Sequence, residues 1–221
     1  MKYTNTLSAK FIDRPNRFIA HVDLDGTIET VHVKNTGHCS ELLLPGADVT
    51  LAVSDNPKRK TKYDLVSVYK KGLGWVNIDS QQANTVVREW LETGPEPFRE
   101  ISFLKPEYPF GHSRVDFYLE CGERKIFLEV KSCTLEKDEI GYFPDAPTER
   151  GVKHIHELMQ AVQSGYEGYI AFVIAMNGIS KVLPNQKTQP EFGEALDAAQ
   201  RAGVKILYLP CKVQADSLCI C

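Results

Sequence analysis

Apolar and polar residues alternate along six short segments of the first 80 residues, and these segments are rich in β-branched and aromatic residues. They read LSAKFID, RFIAHVDL, TIETVHVKN, DVTLAVSD, YDLVSVYK and GWVNID. A period of two is typical of half-buried strands. Turn-forming residues separate the segments, and Asp25-Gly26 is a strong hairpin signal. Six short antiparallel strands predict a small barrel of the OB or SH3-like type.

The pattern changes to helical periodicity after Ser80. QQANTVVREWLETG places apolar residues on one helical face, with Asn84 as its candidate cap. TERGVKHIHELMQAVQSG is predicted to be an amphipathic helix whose buried stripe is Val152, Ile155, Met159 and Val162. We therefore place a domain boundary near residue 82, with residues 1–81 as the small barrel and residues 82–221 as a second domain.

The second domain is predicted to combine helices with one sheet that contains both antiparallel and parallel strands. A strand near Ile101–Leu104 and a hairpin precede the amphipathic helix. GYIAFVIAM is apolar throughout, which is typical of a strand buried on both faces. PEFGEALDAAQRAG is predicted as a helix and VKILYL as a strand, so the last three elements indicate a right-handed parallel crossover. The predicted fold class is a two-domain α+β / α/β protein.

Composition and charge narrow the function classes. The chain has 221 residues, 43% hydrophobic and 25% charged, which is typical of a soluble globular protein. No apolar run approaches a membrane span, and the first residues lack the apolar core of a signal peptide, so we expect no membrane partner and a cytoplasmic location. The net charge of −3 argues against a simple basic DNA-coating protein. The six cysteines form no C-x-x-C pair, and we expect reduced thiols.

The hairpin RVDFYLECGERKIFLEVK raises a specific chemical hypothesis. A turn at Gly122-Glu123 places Asp116 directly opposite Glu129, although like charges across a ladder are unfavourable. Two facing carboxylates suit a hard cation such as Mg²⁺ or Mn²⁺. Lys131 shares their face and could reach a phosphate or an attacking water. Asp116, Glu129 and Lys131 are therefore candidate catalytic residues for metal-assisted phosphodiester hydrolysis, with both acids as metal ligands.

A purely structural interpretation of this hairpin remains open. Asp116 could pair diagonally with Lys131, and Glu129 with Arg114, on a solvated face of the sheet. The helix that follows has an equally ambiguous polar face, where Arg150, Lys153 and His154 share one side with Glu157. We interpret Arg114, Arg150, Lys153 and His154 as candidate nucleic-acid contacts, and a solvated helix face as the alternative.

A basic segment lies between two of the predicted barrel strands. NPKRKTKYDL contains Lys58, Arg59, Lys60 and Lys62, which we interpret as backbone-phosphate contacts of the barrel. The alternative is that the four charges only promote solubility. The turn around Asn35, Thr36 and His38 could serve binding or only turn formation.

Several motifs together resemble the sugar fermentation stimulation protein (SfsA) family. They are RKTKYDL, NTG, SRVDFYLE, EVKSCTLE and GYFPDAPTERGVKHIHEL, and they span nearly the whole chain. The resemblance implies an OB-like barrel followed by a PD-(D/E)XK nuclease-like mixed-sheet α/β domain. It also implies binding to double- or single-stranded DNA and a regulatory role in sugar use, notably of maltose. In the nuclease pattern Asp116, Glu129 and Lys131 take the acid, acid and lysine places, and Val115 replaces the proline.

Three functions follow from these expectations. The first is a DNA-binding protein with a nuclease-type divalent-metal site, since such folds also serve non-catalytic binders. The second is a Mg²⁺-dependent nuclease, in which the same three residues cleave the bound DNA. The third is a sugar- or small-molecule-responsive protein that uses the turn near Asn35 or the space between the domains.

Overall fold

A computed structural model describes residues 1–56, 58–111 and 113–221. The first part of the chain forms a six-stranded sheet in the order β3-β2-β1-β4-β5-β6, in which neighbouring strands are antiparallel, and β3 also pairs with β5 in parallel. This additional pairing closes five strands into a barrel and confirms the predicted OB-like architecture. The strands are β1 Thr6–Asn16, β2 Ile19–Leu24, β3 Thr27–Val33, β4 Asp48–Val53, β5 Tyr63–Lys70 and β6 Gly74–Asn77.

The first strand shapes the barrel because it pairs on both sides over its length. β1 has register shifts after Phe11 and after Asp13 where it pairs with β2. Such irregularities bend a strand and increase its twist, which a small closed barrel requires. The inward residues of the strands are fully buried aliphatic side chains such as Val22, Leu51 and Leu65.

The second part of the chain is a mixed α/β domain. Its main sheet has the order β15-β14-β12-β9-β8-β7, in which β9, β12 and β14 run parallel. A small sheet has the order β10-β11-β13. The elements are α1 Gln82–Leu91, β7 Ile101–Phe110, β8 Ser113–Cys121, β9 Arg124–Cys133, β10 Leu135–Lys137, β11 Ile140–Phe143, α2 Glu149–Gln163, β12 Glu167–Ile174, β13 Val182–Pro184, α3 Pro190–Arg201, β14 Lys205–Gln214 and β15 Ser217–Ile220.

The central strand β12 is buried on both faces, as its continuous apolar sequence predicted. Ile170 and Phe172 pack in a core that contains residues of α2, α3 and the barrel. Ala171 and Val173 pack on the opposite face with residues of α1. Because the first core includes residues of both parts of the chain, apolar packing holds the barrel against the α/β domain.

The N-terminal residues also join the two parts. The Tyr3 amide donates to the Asp216 carbonyl at 2.8 Å, and the Met1 ammonium donates to the Leu218 carbonyl at 2.8 Å. At the other end of the barrel sheet, β6 ends at Asn77 and α1 begins at Gln82. The Asn77 amide donates to Ala175, just after β12, at 3.0 Å.

Three local expectations need correction. Asn84 is not the cap of α1, because the N-cap is Gln81 and Asn84 lies within the helix. The buried stripe of α2 is rotated from the predicted one, so that Leu158 and Ala161 are buried while Met159 is only partly buried. The short strands β10, β11, β13 and β15 were not predicted, because three or four residues are too few to show a period.

The structure also bears on membrane association. In the described parts of the chain, no helix combines the length and the apolar character needed to cross a membrane.

Candidate metal and nucleic-acid site

The hairpin that carries the candidate carboxylates has the predicted register only near its turn. Phe117 pairs with Leu128 and Leu119 with Ile126, but the ladder between β8 and β9 ends at the first of these pairs. Asp116 and Glu129 are therefore not a ladder pair, contrary to our expectation. The Asp116 Oδ2 instead accepts a hydrogen bond from the Val130 amide at 2.7 Å. The side chain thus takes the place of a backbone partner where the strands separate.

Glu129 lies at the centre of a buried ionic cluster. Glu129 is only 3% exposed, and its Oε1 accepts a hydrogen bond from Lys131 Nζ at 2.5 Å. His154 Nδ1 lies 2.5 Å from the same oxygen. Burial by itself would raise the pKa of Glu129, but Lys131 and His154 outweigh it and hold this pKa below its usual range. Glu129 is therefore ionised at neutral pH.

Asp116 has the opposite electrostatic behaviour. Burial, and then the negative charge of Glu129, raise the pKa of Asp116, although Lys131 and the hydrogen bonds to its oxygens oppose the shift. Its Oδ1 accepts from Asn84 Nδ2 at 2.9 Å. Asn84 therefore supports Asp116. The sequence did not predict this role, because nothing in the neighbouring residues indicates that α1 packs beside β8. Two coupled carboxylates whose pKa values are pushed apart are typical of functional sites.

His154 supports Glu129 and does not face the solvent. The residue is 8% exposed, and its Nε2 accepts from Arg150 Nε at 3.2 Å while Nδ1 contacts Glu129. The tautomer with its proton on Nδ1 satisfies both contacts. His154, a predicted nucleic-acid contact, thus lies between Arg150 and Glu129, and its role in binding stays a prediction.

A large cleft between the barrel and the α/β domain opens beside this cluster. Its volume is 1340 Å³, and Asp116, Lys131 and Arg150 line it from the α/β domain. Arg14 and Arg17 line it from the barrel. The lining contains four acidic and four basic residues, so the cleft is not strongly basic by itself: Asp13, Asp116, Asp145 and Glu149, and Arg14, Arg17, Lys131 and Arg150.

The other predicted contacts of the α/β domain lie away from this cleft. Lys153 is exposed, its Nζ is 3.7 Å from Glu157 Oε1, and it lines a separate pocket of 530 Å³. Arg114 is exposed and pairs with Pro109 in the ladder between β7 and β8. Of the two basic residues on the polar face of α2, only Arg150 lies in the main cleft, and both remain predictions as nucleic-acid contacts.

The basic loop of the barrel is also separate from the cleft. Arg59 donates to both carboxylate oxygens of Asp64, at 2.6 and 3.0 Å, and is therefore engaged in a structural ion pair. Lys58, Lys60 and Lys62 are exposed, and none of them is among the residues that line the cleft. These three lysines remain candidates for phosphate contacts outside the cleft.

The turn at Asn35–Cys39 forms a specific contact between the two parts of the chain. Arg14 donates to the carbonyls of Asn35 and Gly37 at 2.7 and 2.8 Å, which holds the turn on the barrel. The Cys39 amide donates to Asp145 Oδ2, in the loop before α2, at 2.7 Å. A Cβ atom at Gly37 would lie only 2.7 Å from the same carboxylate oxygen. A side chain at Gly37 would therefore force Asp145, which lines the cleft, or the turn itself to shift.

The donor set at the hairpin fits a magnesium-like cation better than zinc. Within residues 1–56, 58–111 and 113–221, no three His, Cys, Asp or Glu side chains converge as a metal site. Mg²⁺ commonly takes one or two carboxylates and completes its shell with water and phosphate oxygens. Glu129 is ionised, its Oε2 has no hydrogen-bond partner in the described structure, and Asp116 borders the cleft. The two residues thus fit such an ion.

Fold and cleft together define a two-domain protein in which an OB barrel and a mixed-sheet α/β domain share one polar cleft. The chain belongs to the sugar fermentation stimulation protein family. The family model described as the SfsA N-terminal OB domain matches residues 12–78. The model described as the sugar fermentation stimulation protein RE domain matches residues 81–217. These matches confirm the resemblance seen in the sequence motifs.

Relatives of known sequence and structure match almost the entire chain. A sugar fermentation stimulation protein homolog from Desulfitobacterium hafniense is 55% identical over 218 residues, which cover 99% of this chain and 94% of that protein. One from Ruminiclostridium cellulolyticum is 53% identical over 214 residues, with 97% and 94% coverage. The structure of Pyrococcus furiosus SfsA in complex with Ca²⁺ is similar with a TM-score of 0.88 and 29% identity, covering 100% of this chain and 95% of that one.

Proposed function

We propose that the protein binds DNA in the cleft between its domains and holds a divalent cation, Mg²⁺ or Mn²⁺, with Asp116 and Glu129. The observation that carries the proposal is the pair of interacting carboxylates beside Lys131, of which Asp116 lines this cleft and Glu129 lies buried next to it. The relative from Pyrococcus furiosus was solved with Ca²⁺, which supports a divalent-metal site in the family. Ca²⁺ and Mg²⁺ both prefer oxygen ligands.

Electrostatics explains why a cation would be part of the binding site. The chain has a net charge of −3, and the cleft lining has equal numbers of acidic and basic residues. A phosphate backbone entering such a cleft needs additional positive charge. A divalent ion on two carboxylates supplies it at the point where Arg17 and Arg150 can also contact phosphates.

The second candidate function is metal-dependent cleavage of the bound DNA. Lys131 lines the cleft two residues from Glu129, so its ammonium could contact a scissile phosphate or a nucleophilic water. The low pKa of Glu129 keeps this candidate metal ligand ionised at neutral pH. The cation, when bound, polarises the phosphoryl oxygen and lowers the pKa of water. In this function Asp116 and Glu129 hold the ion, and Lys131 orients the reacting groups.

The name of the family points to a role in sugar use. A DNA-binding protein could serve that role as a regulator of sugar metabolism, including maltose metabolism. We propose that DNA binding in the cleft has this regulatory purpose. The turn at Asn35–Cys39 favours DNA over a sugar as the ligand. Its backbone carbonyls are engaged by Arg14 and its Cys39 amide by Asp145, so fewer polar groups of the turn remain for a sugar.

One experiment separates binding from cleavage. Supercoiled plasmid and labelled single strands are incubated with Mg²⁺, Mn²⁺ or chelator and either wild type or Glu129→Ala. The matched control is Glu123→Ala, at the exposed turn of the same hairpin. Metal-dependent nicking that only Glu129→Ala loses supports the nuclease. Metal-dependent binding without nicking supports the binding protein. If wild type neither binds nor cleaves DNA in any metal, the proposed function is wrong.

The basic loop can be tested without disturbing the barrel. Arg59 is retained because it holds Asp64, and Lys58, Lys60 and Lys62 are replaced together by alanine. Each phosphate contact that is lost should reduce the salt slope of duplex binding by about 0.9. Equal affinity and an equal salt slope in wild type and triple variant would exclude these lysines as phosphate contacts.

A further inference from the structure

An exposed aromatic ring stands beside the rim of the cleft at the tip of the β1–β2 hairpin. Phe18 is 53% exposed, and it directly follows Arg17, which lines the cleft. The guanidinium carbon of Arg17 lies 5.8 Å from the centre of the Phe18 ring. A cation and an aromatic face are thus adjacent on the barrel side of the cleft.

The backbone of this tip is held firmly although its side chains are exposed. Asn16 Oδ1 accepts from the amides of Phe18 and Ile19 at 2.9 and 3.1 Å. Arg14 donates to the Arg17 carbonyl at 2.8 Å, and the Val33 amide donates to the Phe18 carbonyl at 2.8 Å. A ring presented to solvent on a preorganised backbone loses little conformational entropy when a ligand packs on it.

Arg17 also differs from Arg14 and Arg59, the other two arginines of the barrel. Arg14 donates hydrogen bonds to backbone carbonyls, and Arg59 forms an ion pair with Asp64. In the described structure no carboxylate lies within ion-pair distance of Arg17, so its charge is not neutralised by a neighbouring acid. The tip therefore combines an available positive charge with an available aromatic face.

We propose that Arg17 and Phe18 form a platform for a single-stranded nucleic-acid segment, in which Arg17 contacts a phosphate and Phe18 stacks on the adjacent base. The inference rests on the proposed function and specifies its substrate class. A base can stack on a side chain only when it is not stacked within a duplex, whereas phosphate contacts do not distinguish the two. Because Arg17 lines the same cleft as Asp116 and Lys131, the single strand extends from the platform toward the metal site.

The barrel type supports this placement. In OB folds, oligonucleotides bind to a sheet face and to the loops that connect particular strands, including the first pair. The Arg17-Phe18 tip is the connection between β1 and β2. The basic loop at Lys58–Lys62 connects β4 and β5 and carries more charge, but it lacks the contact with the cleft.

The test compares single-stranded and duplex binding of matched variants. Fluorescence anisotropy with a labelled oligothymidylate and with a duplex of equal length is measured in Ca²⁺ and in chelator. Phe18→Ala should weaken single-strand binding by about fivefold to 150-fold, the range for loss of one stacked base. Duplex affinity should change less than about twofold. Phe18→Tyr should bind like wild type, because it retains the ring.

Two controls make the outcome specific. Phe103→Ala removes a ring of similar exposure, 45%, on β7, and should leave both affinities unchanged. Arg17→Ala should weaken single-strand binding and reduce its salt slope by about 0.7. The inference is overturned if Phe18→Ala binds single strands like wild type or if Phe103→Ala has the same effect. It is also overturned if Phe18→Ala weakens duplex binding equally. Absence of all nucleic-acid binding in wild type would overturn the proposed function itself.

Discussion

Two pairs of largely buried carboxylates, each beside a lysine, lie in the described parts of this molecule and differ in their access to the cleft. In the barrel, Lys34 Nζ lies 2.8 Å from Asp64 and 3.6 Å from Asp79. In the α/β domain, Lys131 contacts Glu129, which is electrostatically coupled to Asp116. In each pair, burial raises the pKa of one acid while cationic partners lower that of the other.

The difference lies mainly in access from the cleft. Asp64 accepts from Arg59 on both oxygens and also contacts Lys34 and His32, so its charge is fully compensated. Neither Asp64 nor Asp79 lines the cleft. Around the other pair, Asp116 and Lys131 do line it. Two carboxylates near a lysine are therefore a candidate metal site only where a ligand can reach at least one of them.

Loss of Asp64 should have the largest effect on stability. Asp64→Ala leaves Lys34 and Arg59 without the carboxylate that both contact, and breaking a buried ion pair on one side costs about 3 kcal/mol or more. Urea unfolding measures the loss. Because the barrel pair is structural, the remaining folded protein should respond to Mg²⁺ like wild type. Equal stability of variant and wild type, or a lost Mg²⁺ response, would contradict the distinction between the pairs.

Metal should stabilise the protein through the cleft pair. At 100 times its dissociation constant, a bound cation adds about 2.7 kcal/mol to the free energy of unfolding. Asp116→Asn removes one ligand charge together with the repulsion from Glu129. In chelator it should melt no lower than wild type, and it should respond far less to Mg²⁺ or Mn²⁺. Thermal melts in chelator and in each metal test this, with Glu123→Gln as the control. Wild type without any metal shift would argue for a solvated face.

Acid should affect Asp64 and Asp116 in opposite directions. Burial works against ionisation of Asp64, but Arg59 and Lys34 lower its pKa from 3.8 to about 2. Its stabilising contribution of about 2 kcal/mol is therefore complete above pH 4 and disappears as the pH falls from about 4 to 2. The raised pKa of Asp116 has the opposite sign, so protonation there relieves a cost.

Urea titrations of wild type, Asp64→Asn and Asp116→Asn between pH 5 and pH 2 measure both contributions. The stability difference between wild type and Asp64→Asn should shrink as the pH falls. A difference that is constant over this range would show that Asp64 is not compensated as the structure indicates.

The smallest expected effect concerns the wall of the cleft. Gly37→Ala should cost about 1–2 kcal/mol, because its Cβ would lie 2.7 Å from Asp145 Oδ2 and the turn must shift. The same shift should weaken the hydrogen bond from the Cys39 amide to Asp145. In an Asp145→Ala background the added methyl group should be tolerated better. A double-mutant cycle measures this coupling, and additive effects would contradict the close contact.

Sequence reasoning predicted more of the fold than of the site. The six barrel strands, α1, α2, α3 and the buried strand β12 all follow from local periodicity, and the hairpin register is correct at Phe117–Leu128. The prediction that Asp116 pairs directly with Glu129 is wrong, because the ladder ends at the adjacent pair, Phe117 and Leu128, and the strands separate beyond it. Strand separation depends on packing against other elements, and alternation along a single strand contains no information about it.

The sequence by itself predicted most of the elements, the family, and Asp116, Glu129 and Lys131 as candidate site residues. Only the tertiary structure decided which charged residues lie in the cleft. Arg17 and Arg150 line it, whereas Lys153 and the basic loop do not, and His154 lies behind Glu129. The physical reason is that periodicity reports on neighbours in the chain, while the cleft is built by contacts such as Cys39 with Asp145, which are 106 residues apart.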